Sequence, residues 1–205
     1  MKLYKQTTKF TCGPACALMV LNHYFPRKFF LTKDNELRIW QKTQRSPLRG
    51  TSQFAIAKLL KEEGLEVSVY VGRFRYRSNF WKQYKKYGIT EEDITLAGRI
   101  ENLFIEDARA TAIPIHKQIL KFSDVERFIK EDDYVLLRVN IKILNPRLKN
   151  LTHYVIIDKM EDGRFHVFDP WNGENWLARE KLEEAFHAVK TACDEDYRAI
   201  TVSRS

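Results

Sequence analysis

The chain has 205 residues, 44% of them hydrophobic and 30% charged, the ordinary make-up of a soluble globular protein with a core of its own. Thirty-five Lys and Arg against 27 Asp and Glu leave a net charge of +8, which favours solubility and permits weak attraction to anions without specifying nucleic acid as a partner. The longest apolar run, Ala15 to Leu21, has seven residues where a membrane span needs about 18 or more, and the start Met1-Lys2-Leu3-Tyr4-Lys5-Gln6 lacks the apolar middle of a secretory signal, so a cytoplasmic protein with no membrane insertion is expected.

The first predicted element is a helix from about Cys12 to Tyr24. Pro14 is tolerated in a first turn, and Ala15, Leu18, Met19, Val20 and Leu21 leave hardly any polar face, so this helix belongs inside the protein. A second helix starts near Thr51 or Ser52, both good caps, and runs through Phe54, Ala57 and Leu60 to a stop at Gly64, after which Leu65 to Val71 alternates as a strand. From Gly72 to about Ile115 the pattern changes to a helical insertion. It opens on a basic, aromatic stretch and continues from the capping box Thr90-Glu91-Glu92-Asp93 into a helix through Ile94, Ala97, Ile100, Leu103 and Phe104. Ser123-Asp124-Val125-Glu126 reads as a second capping box, opening a short helix to about Glu131, and Tyr134 to Asn140 follows as a strand. Two further strands, Thr152 to Lys159 and Phe165 to Asp169, join around Glu161-Asp162-Gly163, and the tail from Arg179 reads as a helix and a last strand, Tyr197 to Ser203. Helices come first and antiparallel strands later, which is an α+β arrangement. No repeat or Pro/Gly/Ser linker divides the chain, so residues 1–205 are expected to form a single domain.

Three cysteines, an odd number in a chain too large to need staples, argue for free thiols rather than a disulfide framework. Cys12 stands at the start of the first helix, where the helix dipole favours thiolate and the unpaired N–H groups of the first turn can face a developing oxyanion. Cys16, one turn later, reads as core, and Cys193 as structural or exposed. The Cys12-x-x-x-Cys16 spacing has no second pair of ligands to complete a zinc site, and neither metal nor cofactor is implied.

A thiol nucleophile needs a base. Among five histidines, His153 has the best setting, opening the apolar strand Tyr154-Val155-Ile156-Ile157 where a sheet would hold the imidazole steady. His23, His116, His166 and His187 read as structural, with no orienting carboxylate apparent beside them. His153 has a candidate orienter in Asp169, at the end of the next strand. Register decides whether they meet. A two-residue Asp162-Gly163 turn would put Asp169 opposite Ile156, on the wrong face. A three-residue Glu161-Asp162-Gly163 loop with a bulge at Gly163 would set Trp171 opposite His153 and Asp169 diagonally across on its face. A functional pair predicts the second geometry.

These residues together resemble the papain-like double-glycine leader peptidases, which trim bacteriocin precursors, and their stand-alone relatives. The resemblance rests on Gln6 ahead of Cys12-Gly13-Pro14-Ala15 and its apolar helix, on Gly50-Thr51 before the second helix, on His153-Tyr154-Val155-Ile156, and on Asp169-Pro170. It implies a papain-like fold in which a buried, nucleophile-bearing helix packs on a C-terminal antiparallel sheet. It implies Cys12 as nucleophile, His153 as general base and acid, Asp169 as orienter and Gln6 as a side-chain donor to the oxyanion hole. The leader peptidases are usually the N-terminal part of a membrane exporter, and this sequence shows neither a transmembrane segment nor a Gly-x-x-x-x-Gly-Lys loop, so leader cleavage itself does not follow.

The stretch Gly72 to Tyr87 holds six basic and six aromatic residues and no acid, a pattern that fits a solvated surface, a groove for an acidic peptide substrate, or less readily single-stranded nucleic acid. The function expected is a cysteine peptidase or related amide hydrolase acting on a peptide or amide substrate through an acyl-enzyme on Cys12. Acyl or amide transfer through the same thioester, as in transglutaminase-like enzymes, is the alternative, and a non-catalytic peptide- or nucleic-acid-binding module is the third reading.

Overall fold

A computed structural model describes residues 1–74, 88–132, 134–189 and 197–204. Within them the helices are α1 (Cys12–Tyr24), α2 (Lys33–Thr43), α3 (Gln53–Glu62), α4 (Glu91–Ala110), α5 (Phe122–Glu131), the short α6 (Ile141–Leu144) and α7 (Arg179–His187). The strands are β1 (Leu65–Val71), β2 (Ile115–Lys117), β3 (Tyr134–Asn140), β4 (Thr152–Glu161), β5 (Arg164–Asp169), β6 (Gly173–Ala178) and β7 (Arg198–Arg204). The strands form one sheet in the order β2-β1-β7-β3-β4-β5-β6, antiparallel throughout except where β2 lies parallel to β1. The fold is α+β, as the order of elements predicts.

Alternation along the strands sends side chains into two separate cores. On β3, Tyr134 and Leu136 join α1, α2, α3 and α4, while Val135, Leu137 and Val139 join α5 and α7 on the other face. Covered on both sides, β3 is buried at every residue, which is why its sequence YVLLRVN is nearly continuous in apolar residues. α1 occupies the position expected of it: Gly13 to Leu21 are all buried.

Some elements depart from the expectation. α2 is absent from the sequence reading because its sequence, KDNELRIWQKT, is mostly polar, and its inward side is narrow: Glu36, Ile39 and Thr43. The local signal was Thr32, whose hydroxyl caps the helix by accepting from the Asn35 N–H. α5 starts two residues earlier than the Ser123 capping box implies. The Lys121 N–H donates to Asp124 Oδ2 at 2.8 Å, so Asp124 is the capping carboxylate and Ser123 lies inside the helix. The Thr90–Asp93 box of α4 forms as expected, with both reciprocal bonds present. β6, β2 and α6 were not anticipated.

The stretch expected as an insertion is bound into the body of the protein through α4. Ile105 and Ala108 enter the first core, whereas Leu103, read as part of the apolar series, is 59% exposed. Glu101 of α4 is buried and meets Arg198 Nη1 of β7 at 3.2 Å and Arg45 Nε at 3.9 Å. The basic, aromatic segment from Arg75 to Tyr87, and Cys193, lie outside the described residues.

The β4–β5 hairpin corrects the predicted turn while keeping the register the site requires. Glu161 opposes Arg164 across a two-residue turn in which Asp162 and Gly163 have φ of 48° and 70°, the left-handed pair of a type I′ turn. The expected three-residue loop with a bulge at Gly163 does not form. The extra residue is instead Asp158: Lys159 pairs with His166 but Ile157 pairs with Val167, and beyond that Ile156 pairs with Phe168. Continued toward the start of β4, this register sets Asp169 opposite Val155 and so on the face of His153. Deleting Asp158 should restore the unbulged register and carry Asp169 to the opposite face. Iodoacetamide labelling of Cys12 at about pH 6 should then fall to the level of an Asp169→Ala variant while far-ultraviolet circular dichroism stays that of the parent.

Candidate active site

Cys12 is the first residue of α1, and the close seating of that helix start against α3 depends on the next residue. A Cβ on Gly13 would stand 2.9 Å from Ile56 Cδ1 and 3.4 Å from Thr51 Cβ, so a larger residue would force the buried Ile56 side chain or this turn to shift. This gives Gly50-Thr51 a place in the site: Thr51 forms the wall behind Gly13. Thr11, the residue before α1, does not cap the helix with its side chain, and the first turn has no acidic residue to compete for its N–H groups.

Tyr154 explains how α1 meets the sheet. Its N–H donates to the Cys12 sulfur, and its carbonyl accepts from Cys16 Sγ at 3.4 Å. Both groups of one strand residue point to the same side, and the pairing of β4 with β5 ends at Ile156 and Phe168. At Tyr154, therefore, the place of the neighbouring strand is taken by α1. His153, the adjacent residue, is 3% exposed, and its Nε2 lies 2.7 Å from Asp169 Oδ1. The imidazole also hydrogen-bonds to Cys12, so sulfur, ring and carboxylate form one line.

Charge follows from that line. Burial pushes the Cys12 thiol up, but the hydrogen bond and charge of His153 and the N–H groups of Tyr154 and Gly13 outweigh it, and the net direction is below the ordinary thiol value. Burial pulls His153 down, and its bonds to Asp169 and Cys12 overcome this and raise it to about 9. Burial raises Asp169, yet the bond and charge of His153 and the N–H groups of Trp171 and Asn172 bring its carboxyl below the usual value. Cys16 goes the other way: burial, then the neighbouring charges of Cys12 and Asp169, drive it well above an ordinary thiol. Of these two cysteines Cys12 alone is set up as a thiolate, paired with an imidazolium over the interval between its lowered value and about 9.

Asp169 is held by residues that sequence reasoning missed. Oδ1 accepts from the Trp171 N–H at 2.8 Å and the Asn172 N–H at 3.1 Å, and Oδ2 accepts from Asn172 Nδ2 at 2.6 Å. Asn145 Nδ2 in turn donates to Asn172 Oδ1 at 2.9 Å, tying the site to the loop after α6. The legible part of this was Asp169-Pro170-Trp171-Asn172 as an Asx-type turn, in which the Asp accepts from N–H groups two and three residues on. Gln6 stands beside the line. Its main-chain N–H donates to the Pro170 carbonyl at 2.8 Å, and Nε2 gives one hydrogen to the Thr8 carbonyl at 2.6 Å, leaving the other. Gln6 Oε1 is buried and meets no donor among the described residues.

His166, expected to be structural and without an orienting carboxylate, has two: Asp158 Oδ1 at 2.7 Å from Nδ1 and Glu174 Oε1 at 3.0 Å from Nε2. Its ring packs on Phe168 and Trp176. No thiol or hydroxyl nucleophile faces it in these contacts, and its bond to the bulge residue Asp158 gives it a structural task.

The sequence of residues 1–200 matches the model of the Peptidase_C39 like family. The chain belongs to that family. Among solved structures, this Peptidase_C39 like chain is similar to a double-glycine motif protease from an AMS/PCAT transporter, determined in complex with the leader peptide. The TM-score is 0.50 at 14% identity, over 100% of this chain and 91% of the other. It is also similar to the peptidase domain of Streptococcus ComA, a bifunctional ABC transporter involved in a quorum-sensing pathway, with a TM-score of 0.48 at 13% identity over 100% of this chain and 98% of that one. The first of these likenesses places the fold among the papain-like ones. A comparison with curated proteins finds no sequence match. No helix of the described residues is long and apolar enough to cross a membrane.

Alkylation tests this electrostatic arrangement. Iodoacetamide should label Cys12 at about pH 6, where Cys16 stays inert. His153→Ala removes the largest of the contacts that oppose burial at the thiol, so the rise of labelling with pH should move upward and the rate at about pH 6 should fall roughly tenfold or more. Asn172→Ala should give a smaller loss in the same direction, measured in the same assay.

Proposed function

We propose that this Peptidase_C39 like chain is a papain-like thiol hydrolase, a cysteine peptidase that cleaves a peptide or amide bond through an acyl-enzyme on Cys12. The observation that carries this reading is the line Cys12–His153–Asp169, in which burial alone would keep every group neutral and the contacts reverse that direction for each. A thiol held as thiolate beside an imidazolium that a carboxylate orients is what a nucleophile and its base require.

In this reading the Cys12 thiolate attacks the scissile carbonyl carbon, and the carbonyl oxygen takes the negative charge. A main-chain N–H of the first turn of α1 and the remaining hydrogen of Gln6 Nε2 stabilise that oxygen. The C–N bond breaks as the imidazolium of His153 protonates the leaving amine, which gives a thioester and a neutral imidazole. His153 then takes a proton from water as the water attacks the thioester, the acid product leaves, and thiolate and imidazolium are restored. Asp169 keeps the ring turned so that its other nitrogen faces the sulfur.

The related transporter protease binds a leader peptide, which supports a peptide as substrate here as well. The excess of basic residues in Gly72 to Tyr87 favours an acidic one. The same acyl-enzyme resolved by an amine would give transfer, and a protein that had kept the fold for binding alone would give neither product. The free-thiol composition fits a cytoplasmic setting for either chemistry.

Incubating the protein with a peptide library, with and without an added primary amine, and reading products by mass spectrometry separates these outcomes. Hydrolysis products that disappear in Cys12→Ala and in His153→Ala are expected. Amine adducts in place of acids would convert the reading to transfer. Absence of any product, together with an unlabelled Cys12 in iodoacetamide, would overturn the enzyme.

A further inference from the structure

The segment that carries Gln6 has no helix or strand to hold it. Residues 1–11 run without regular structure until α1 begins at Cys12, and yet Gln6 stands beside the catalytic line. Besides main-chain bonds from Tyr4 to Met19 Sδ and from Gln6 to the Pro170 carbonyl, this segment is fixed by one side chain from α2. Glu36 is 0% exposed, and both its carboxylate oxygens point at residues 4–11. Oε1 accepts from the Thr7 N–H at 2.9 Å and from the Thr11 hydroxyl; Oε2 accepts from the Thr7 hydroxyl at 2.6 Å and the Tyr4 hydroxyl at 3.0 Å. Thr8 and Thr11 join through their hydroxyls at 2.9 Å, and the Phe10 N–H reaches Thr8 Oγ1 at 3.3 Å. The donors to Glu36 therefore come from both sides of Gln6, from Tyr4 and Thr7, and from the residue immediately ahead of the nucleophile.

We propose that Glu36 is a positioning residue of the active site, which through Tyr4, Thr7 and Thr11 sets where the Gln6 amide stands relative to the Cys12 thiol. This rests on the reading of Gln6 as an oxyanion donor. Two anchors define the amide: the Pro170 carbonyl, which fixes the Gln6 main chain to the Asp169 turn, and the Glu36 carboxylate, which fixes the residues flanking it to α2. α2 packs directly on α1, so the carboxylate is fixed in the same frame as Cys12. A carboxylate suits the place because the groups facing it in these contacts are donors, one an amide that cannot reverse its role. The half-buried Tyr4 phenol beside Glu36 is pushed above its ordinary value and stays protonated as a donor. Thr11 adjoins Cys12, but the sulfur itself is held by contacts that do not pass through Glu36, from His153, Tyr154 and Gly13, and at the sulfur the two sets are separate.

That separation makes the role testable with two reagents for the same sulfur. Iodoacetamide reacts by displacement: an S–C bond forms, iodide leaves, and no charge develops on the carbonyl oxygen. Acetyl-glycyl-glycinal reacts by addition: the thiolate joins the aldehyde carbon, the oxygen takes the charge in the oxyanion position, and a hemithioacetal forms with no leaving group. In Glu36→Ala, affinity for the aldehyde, measured as protection of Cys12 from alkylation, should fall about tenfold or more, while the alkylation rate itself stays within about twofold of the parent. Glu36→Gln, which keeps one acceptor for the Thr7 N–H and lets the hydroxyls reverse, should recover most of the loss. Unchanged aldehyde affinity in a folded Glu36→Ala protein, or a parallel fall of both reactions, overturns the role. Where Glu36→Ala does not fold, Tyr4→Phe removes a single donor and should show the same split at smaller size; equal effects on both reagents overturn the proposal there too. A parent protein that alkylates at Cys12 and forms no hemithioacetal overturns the oxyanion reading and the proposal with it. A parent that does neither overturns the hydrolase reading.

Discussion

The junction of α1 with the start of β4 is the contact on which the remaining structure depends. A strand that loses its neighbour leaves N–H and C=O groups that must be satisfied, and at Tyr154 they are satisfied by two sulfurs one helical turn apart. That contact explains why the helix is apolar on every side: it is inserted against a sheet, with α2 and α3 covering its remaining surface. It also explains why the thiol meets the imidazole. The residue that receives the helix is the neighbour of His153, so docking the helix and setting the Cys12 sulfur against the imidazole are a single event.

The two cysteines show how little separates a reactive group from an inert one. Cys12 and Cys16 share a helix and meet the same residue of β4, Cys12 at its N–H and Cys16 at its C=O. Burial raises both thiols; at Cys12 the imidazole of His153 and the N–H donors outweigh it, while at Cys16 the charges of Cys12 and Asp169 add to it. Distance along the chain is four residues; the difference in chemistry comes from what opposes burial at each sulfur.

Local features were legible in the sequence, and features set across the fold were not. α1, the Thr90 capping box, the buried run of β3 and the His153 strand follow from caps and periodicity within about ten residues. Cys12, His153 and Asp169 could be singled out because each sits at a recognisable seam. α2 escaped because its inward side is largely polar, and Glu36, read locally, is one more charge on a surface helix. The register of Asp169 was correctly required but wrongly explained. Asp-Gly forms its favoured two-residue turn, and the bulge sits farther along at Asp158, whose carboxylate meets His166, a residue eight positions away with no local pattern to announce it. Asn172 and Asn145 likewise matter through contacts with one another and with Asp169, and no spacing rule links residues 27 apart.

The place of β7 has a consequence for when the core beneath the thiol is complete. β7 lies between β1 and β3, so among the described strands it joins the part of the sheet that follows α3 to the part that carries His153 and Asp169. Its Arg198 also receives Glu101 of α4. During synthesis Cys12 emerges early, and residues 198–204 emerge last among the strands. Until that strand inserts, the core that α1 occupies lacks Ile200 and Val202, and β1 and β3 have no strand between them. Completion of the core beneath Cys12 therefore waits on a strand about 190 residues further along the chain.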